Sequence, residues 1–359
     1  MQSQKQLITL IIIAASLCSF LAGYLLTQAP QNNTDILQEQ RGVLIDRFNG
    51  VDSSSTPTPL PPGLLQATSD AALAPVSASD ADAVIYYHSE SGSVSKLDLE
   101  TRTSTLISTA SLPRLVQVIW SPDRNRVITV SRASAGLSYA YFDYTTHEHG
   151  TLGSNIKDAV FSPDNQKIAL VRSGGGDSSI QIVDFNGKNS NTILKTRLNN
   201  IKVFWPTADM LAFAALDADT ATQSLYTLTT NGDLSQPVEA QDGLSIRWSP
   251  SGSAFLYSQR GQDGPELRIF DIASKQSRPL SVRIPAANCA WALDQSSIIC
   301  AVQTSGETSI VKTLLANNTS TTLFSHLIIS PQDVFLSRLG NFLVLVGADQ
   351  SIWEVKLAQ

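Results

Sequence analysis

The sequence predicts an all-β fold built from one repeated four-stranded unit, and three observations carry that expectation. A hairpin motif recurs about every 43 residues. An alternating apolar strand follows each copy. The composition is poor in charge, 16% of 359 residues against roughly 25% in an average soluble protein, while Ser, Thr, Ala and Asn are plentiful, as suits a β-rich protein outside the cytosol. With 25 basic and 31 acidic side chains the net charge is -6, so nothing marks a nucleic-acid surface or a polybasic lipid patch.

In chain order, residues 1–6 form a cytoplasmic stub and residues 7–26 read LITLIIIAASLCSFLAGYLL. This run carries no charge and matches the ~20 residues that cross a hydrocarbon core as a helix. Pro30 disfavours signal cleavage after Ala29, and Leu17 before Cys18 is wrong for lipoprotein processing. An uncleaved anchor is the expectation. Lys5 lies on the short side and no further positive charge occurs before Arg41, which puts the amino terminus in the cytosol and the rest outside. Residues 27–70 form an extracytoplasmic tether rich in Pro, Ser and Ala, with two short apolar pieces at 43–48 and 63–65.

Residues 71–359 carry the repeat. Its best copies are IWSPDRNRVITV from Ile119, VFSPDNQKIALV from Val160 and RWSPSGSAFLYS from Arg247, and VFWPTADMLAFA from Val203 aligns on its proline. The prolines at 122, 163, 206 and 250 are spaced 41, 43 and 44 apart. Weaker copies begin at Pro75, Cys289 and Phe335. Strands such as VSKLDL (94), IQIVDF (180) and IWEVKL (352) follow, then a turn and a fourth strand such as STLIS (104) or NTILK (191). Four strands in about 43 residues is the period of a propeller blade. Seven hairpins and seven third strands predict seven blades, with six as the alternative if the degenerate first copy is a stray hairpin. The chain ends after the last third strand, so an outer strand supplied from 43–48 or 63–65 is expected to close the ring and cover its edge.

Each marker has a physical reason. Trp120, Phe161, Phe204, Trp248 and Trp291 end the innermost strands with a large apolar group suited to the wedge between blades. The Ser-Pro-Asp after it is a turn that wants φ > 0 at its next position. Asn165 and Gly252 meet that demand, whereas at Arg124 the left-handed residue is expected to shift to Asn125. These residues resemble the TolB-like propeller family, whose repeat is a W-S-P-D-G hairpin followed by an apolar strand. The resemblance covers about 280 residues. It implies a propeller in a bacterial envelope and is silent on function, since such blades serve scaffolds, receptors and non-catalytic peptidase domains alike. The Gly-His and Trp-Asp marks of WD-type repeats are missing, and three of the seven copies depart from the motif.

Catalytic chemistry is not evident. No G-x-S-x-G elbow occurs. His147-Glu148-His149 falls in a turn without a third ligand nearby, and His88 and His326 stand alone. Asp217, Asp219 and Thr220 lack the Gly and Glu of a calcium loop. The glycines of 173–177 join two strands and open no helix, so a flexible connector is expected. Cys289 and Cys300 stand at equal distances from the centre of one hairpin turn, which places them opposite each other. A disulfide and two buried thiols are both compatible with that position. Asn32, Asn317 and Asn318 begin glycosylation sequons that matter only in a glycosylating host.

The function expected is a membrane-anchored, extracytoplasmic scaffold for protein interaction or envelope assembly that binds a protein or envelope polymer through loops joining second and third strands, at 131–138, 173–179, 216–224, 259–265 and 303–308. It is expected to be no enzyme, and no cofactor, metal or catalytic residue is assigned. The alternative is an enzyme or small-ligand or sugar binder using the central channel, where Gln117, Lys157, Asp158, Lys202, Arg247, Asn288 and Asp333 fall on innermost strands.

Overall fold

A computed structural model describes residues 63–357 except Pro113, Ala135, Ala218 and Ser305. The expected anchor over 7–26 and the apolar piece at 43–48 lie outside the described residues. Among the described residues no helix is long and apolar enough to cross a membrane.

Seven four-stranded antiparallel sheets form the blades. After β1 (Leu64–Thr68), blade 1 comprises β2 (Ala72–Ser77), β3 (Ala83–His88), β4 (Val94–Asp98) and β5 (Ser104–Ser108). Blade 2 comprises β6 (Leu115–Trp120), β7 (Arg126–Ala133), β8 (Gly136–Asp143) and β9 (His149–Thr151). Blade 3 comprises β10 (Ile156–Phe161), β11 (Lys167–Gly174), β12 (Asp177–Asp184) and β13 (Asn191–Thr196). Blade 4 comprises β14 (Ile201–Thr207), β15 (Met210–Leu216), β16 (Gln223–Thr229) and β17 (Leu234–Gln241). Blade 5 comprises β18 (Ser245–Trp248), β19 (Ala254–Gly261), β20 (Gly264–Asp271) and β21 (Gln276–Pro279). Blade 6 comprises β22 (Cys289–Trp291), β23 (Ser297–Thr304), β24 (Glu307–Leu314) and β25 (Thr319–Leu327). Blade 7 takes β26 (Pro331–Leu336), β27 (Phe342–Gly347) and β28 (Ile352–Lys356), and its outer strand is β1. Leu64 lies opposite Val355 and Leu65 opposite Glu354, so the segment beginning at 63–65 covers the edge of β28. β2 touches both β6 and β26, which closes the ring.

No single central core exists among the described residues. Their buried apolar side chains form seven clusters, each astride two neighbouring blades. Trp120 packs with Tyr87 of blade 1, Phe161 with Ile128 and Tyr139 of blade 2, and Trp291 with Leu256 and Leu267 of blade 5. The second strands are nearly all buried because both of their faces are covered: Val127, Ile128 and Val130 are inaccessible, as are Leu343, Val344 and Leu345.

Three expectations need correction. In blade 4, Phe204 points toward the blade 5 cluster, while Val203 and Trp205 face blade 3. β14 runs on through Pro206 with a register shift between Phe204 and Thr207, and a one-residue offset in a strand exchanges its two faces. In blade 6, Ala286–Asn288 is a 3-10 turn that begins after Pro285, so only Cys289–Trp291 remains as inner strand. In blade 2, Arg124 itself has φ 66°, and Asn125 is not the left-handed residue.

The third correction has an energetic reason. A left-handed non-glycine costs roughly 1–2 kcal/mol, but Arg124 donates from Nε to the Ser77 carbonyl of blade 1 at 3.1 Å and from Nη1 to the Ser121 carbonyl at 2.9 Å. The same turn position reaches back elsewhere. Asn165 Oδ1 accepts from the Asp123 N–H at 3.1 Å, and Gln295 Oε1 accepts from the Ser251 hydroxyl at 2.6 Å. At Gly252 a Cβ would lie 2.4 Å from the Pro206 carbonyl oxygen, so no side chain fits there. The left-handed residue thus latches each of these hairpins to the preceding blade.

Candidate interaction face

Two places can present chemistry: the inner strands and the end of the ring that carries the second-to-third-strand connections. Because strands alternate in direction, those connections all fall at one end.

On the inner strands the charged groups are used on one another. Lys202 Nζ lies 3.3 Å from Asp158 Oδ1, and Asp158 Oδ2 accepts from the Val203 N–H at 2.8 Å. Burial pushes the Asp158 carboxyl up, with Lys202 opposing. Arg247 bonds to the Ala287 carbonyl at 2.7 Å and to the Asp333 carboxylate, tying blades 5, 6 and 7 together. Asn288 Nδ2 donates to the Pro331 carbonyl at 3.3 Å. Gln117 is half-buried and Lys157 exposed, without a partner that would gather them into a site. Among the described residues no group of three or more His, Cys, Asp and Glu side chains is placed to hold a metal ion.

The other sequence candidates are separated by the fold. His147 sits in an exposed turn held by Asp143, whose Oδ1 accepts from the N–H groups of Thr145 and Thr146 at 2.8 and 3.0 Å, and His149 opens β9 beyond it. Burial alone would raise the Asp143 carboxyl, but the Arg126 bond at 2.7 Å and those two donors outweigh it and hold it low. His88 Nε2 pairs with Ser95 Oγ at 2.8 Å, and His326 Nδ1 with Glu307 Oε2 at 2.6 Å. Asp217 Oδ1 caps its own loop, accepting from the Asp219 and Thr220 N–H groups at 2.9 and 3.2 Å. Cys289 and Cys300 face each other across β22 and β23, inaccessible, with Cα atoms 4.0 Å apart and sulfurs at a bonding distance of 2.11 Å.

The strand-connection end differs from its expectation in form. Most of its connections are short turns, because the ladders run almost to their tips: Gly174 still pairs with Asp177, and Gly261 with Gly264. Gly175 and Gly176 have φ 67° and 92°, so the connector at 173–177 takes the left-handed pair of a tight hairpin turn. What opens there are two polar hollows. One of about 420 Å³ in blade 3 is bounded by Asn155, Arg172, Asp177 and Lys195. Arg172 is braced by the Leu152 carbonyl at 2.8 Å and Gln181 Oε1 at 3.1 Å, and burial lowers its pKa. The second, about 580 Å³ in blade 5, is bounded by Asp242, Gln259, Arg260 and Gln262, with Arg260 and Asp242 paired at 2.7 Å. The glycines and polar residues of 173–179 and 259–265 were visible in the sequence, but the hollows arise from Asn155 and Asp242 on first-strand approaches that no spacing argument joins to them.

No protein-family model matches the chain, and no curated protein sequence matches it. Solved structures do match in shape. An oligogalacturonate lyase from Vibrio parahaemolyticus is 12% identical, with a TM-score of 0.61 over 82% of this chain and 94% of that one. The β-propeller domain of Cps50 (Swd1) from Myceliophteria thermophila is 12% identical, with a TM-score of 0.58 over 82% of this chain and all of that one. TolB from Acinetobacter baumannii is 17% identical, with a TM-score of 0.44 over 77% of this chain and 79% of that one. At these identities the first two likenesses show the fold, a β-propeller.

Proposed function

We propose that this chain is a membrane-anchored, extracytoplasmic propeller that binds a protein of the cell envelope through the strand-connection end of its ring. The observation that carries this reading is a contrast in how polar groups are used. Asp158, Lys202, Arg247 and Asp333 are tied to one another on the inner strands, while Lys195, Asp177 and Gln262 border open polar hollows at one end. A rigid ladder that carries exposed polar turns suits recognition of a folded partner without reordering. The uncharged run at 7–26 and the lack of positive charge from there to Arg41 support the anchor and its orientation. A channel enzyme has weaker support, because its candidate carboxylates are neutralised by partners.

The test is crosslinking of the full-length chain in its native membrane followed by pull-down, against a chain ending at residue 62. Propeller-dependent enrichment of one envelope protein or complex is the expected result. Equal recovery with both chains would refute the scaffold reading.

A further inference from the structure

The seam between blades 1 and 2 differs from the other seams at one position. The fourth residue of each second strand faces the preceding blade. It is Tyr86, Leu170, Phe213, Tyr257, Cys300 or Leu345 in six blades, and each of these is buried in its seam. In blade 2 it is Thr129, whose cross-strand neighbour is Ala140, itself opposite Thr151. Three small side chains in a row leave the seam unfilled. The outer strand is also short, since β9 covers only Ala140, Tyr141 and Phe142 of β8.

The result is a cleft of about 410 Å³ whose walls include Tyr87, Val94 and Leu112 from blade 1 and Phe142 and Tyr144 from blade 2. No Asp, Glu, Lys or Arg lines it, and His149 is the one imidazole on its wall. At one end the Tyr87 and Tyr144 hydroxyls share a 2.7 Å bond, which leaves one phenolic proton over. Burial pushes both phenols up, so they stay neutral. At the other end the segment carrying Leu112 is pinned over Gly92, its N–H donating to the Ser91 carbonyl at 3.1 Å. Thr129 is only 7% exposed and lines the cleft, and its hydroxyl, without a hydrogen-bond partner among the described residues, opens into it. A hydroxyl that opens into a largely apolar cleft marks where a ligand's polar atom would bond.

We propose that this cleft binds a small, uncharged, largely apolar molecule carrying a hydroxyl or carbonyl, with its apolar body between Phe142 and Val94 and its oxygen on Thr129. The size lies within the range of small-molecule sites, and walls without a carboxylate, ammonium or guanidinium offer an ionic ligand no fixed counter-charge for its lost hydration. The site is independent of the strand-connection end, and either reading can fail without the other.

The experiment titrates 2-naphthol and naphthalene into the full-length chain in lipid nanodiscs and follows probe fluorescence. A single saturable site is expected, with 2-naphthol bound about three- to tenfold more tightly than naphthalene. Thr129→Leu, which restores the bulk found in other blades, should abolish binding. Ala110→Trp, on the exposed rim, should weaken it at least tenfold and guards against misfolding of the first variant. Thr129→Val should bind naphthalene normally and lose the preference for the hydroxyl. Non-saturable uptake, binding unchanged in Ala110→Trp, or a preference retained in Thr129→Val would each overturn the proposal. So would a protein partner lost in Ala110→Trp while neither probe binds the parent chain, since the cleft would then be a protein anchor.

Discussion

Blade 1 meets two neighbours, and its two seams add different interactions to a shared apolar burial. Toward blade 7, which closes the ring, ion pairs and side-chain hydrogen bonds border a cluster that includes Tyr86, Leu97 and Phe342. Arg102 Nε pairs with Glu354 at 2.8 Å and Lys356 with Glu100 at 2.7 Å, and Asp82 accepts from the Leu339 N–H at 3.0 Å and from Asn341 Nδ2 at 2.7 Å. Toward blade 2, aromatic packing dominates. Trp120 packs on Tyr87 of blade 1 with ring centroids 5.4 Å apart, its Nε1 donates to the Ala74 carbonyl at 3.1 Å, and the cleft remains beside it. Neighbours in sequence are brought together by short connections and can be held by non-directional burial. Joining residues some 250 positions apart carries a larger loop-closure cost and one wrong register exposes an edge, so specific pairs are placed there.

The largest break in this comparison comes from the closing strand. Leu64→Ala removes an inaccessible side chain from the seam of blades 6 and 7 and should cost about 2–5 kcal/mol in urea unfolding of the full chain. An effect below about 1 kcal/mol would mean that β1 does not close the ring. Next is Arg102→Met, which strands the Glu354 carboxylate. Glu354 is 1% exposed but Arg102 is 44% exposed, so the penalty is discounted to about 1–3 kcal/mol. Adding Glu354→Gln should recover part of it, which a double-mutant cycle reads directly.

A pH profile sharpens the same seam. Burial raises the Glu354 carboxyl above its ordinary value of 4.5, with Arg102 opposing. A raised folded pKa contributes stability that is complete below the unfolded value and is lost as pH rises through the folded one. The wild-type melting temperature should therefore gain on Glu354→Gln as pH falls from neutral toward 4.5, and the gain should grow in Arg102→Met. A flat difference between wild type and Glu354→Gln across that window would contradict the assignment. The smallest effect belongs to the aromatic seam: Tyr144→Phe breaks one phenol pair and should cost about 0.5–1.5 kcal/mol by thermal melting, with little pH dependence below 9.

Much of the ring was legible because its markers are local. Prolines 122, 163 and 250 lie in hairpins whose Ser-Asp hydrogen bonds or glycine turns a sequence displays, and the equal spacing of Cys289 and Cys300 from their turn corresponds to their register. The misread positions are those decided by a neighbouring blade. Arg124 takes a left-handed conformation because Ser77 receives its guanidinium, and Trp205 takes the seam position because β14 slips past Pro206. The Thr129 cleft was invisible for the same reason: one threonine in a strand is ordinary until six counterparts are seen to fill their seams. At the strand-connection end the polar turns could be read, but their closeness to Asn155 and Asp242 could not.

The most direct test of the proposed binding end is a photo-crosslinking residue placed at Gln262, exposed beside the blade 5 hollow, or at Ala273, exposed in the turn at the opposite end of the same blade. In native membranes the account predicts a discrete crosslinked partner from position 262 and none from position 273. The same partner from position 273 with none from position 262 would contradict it.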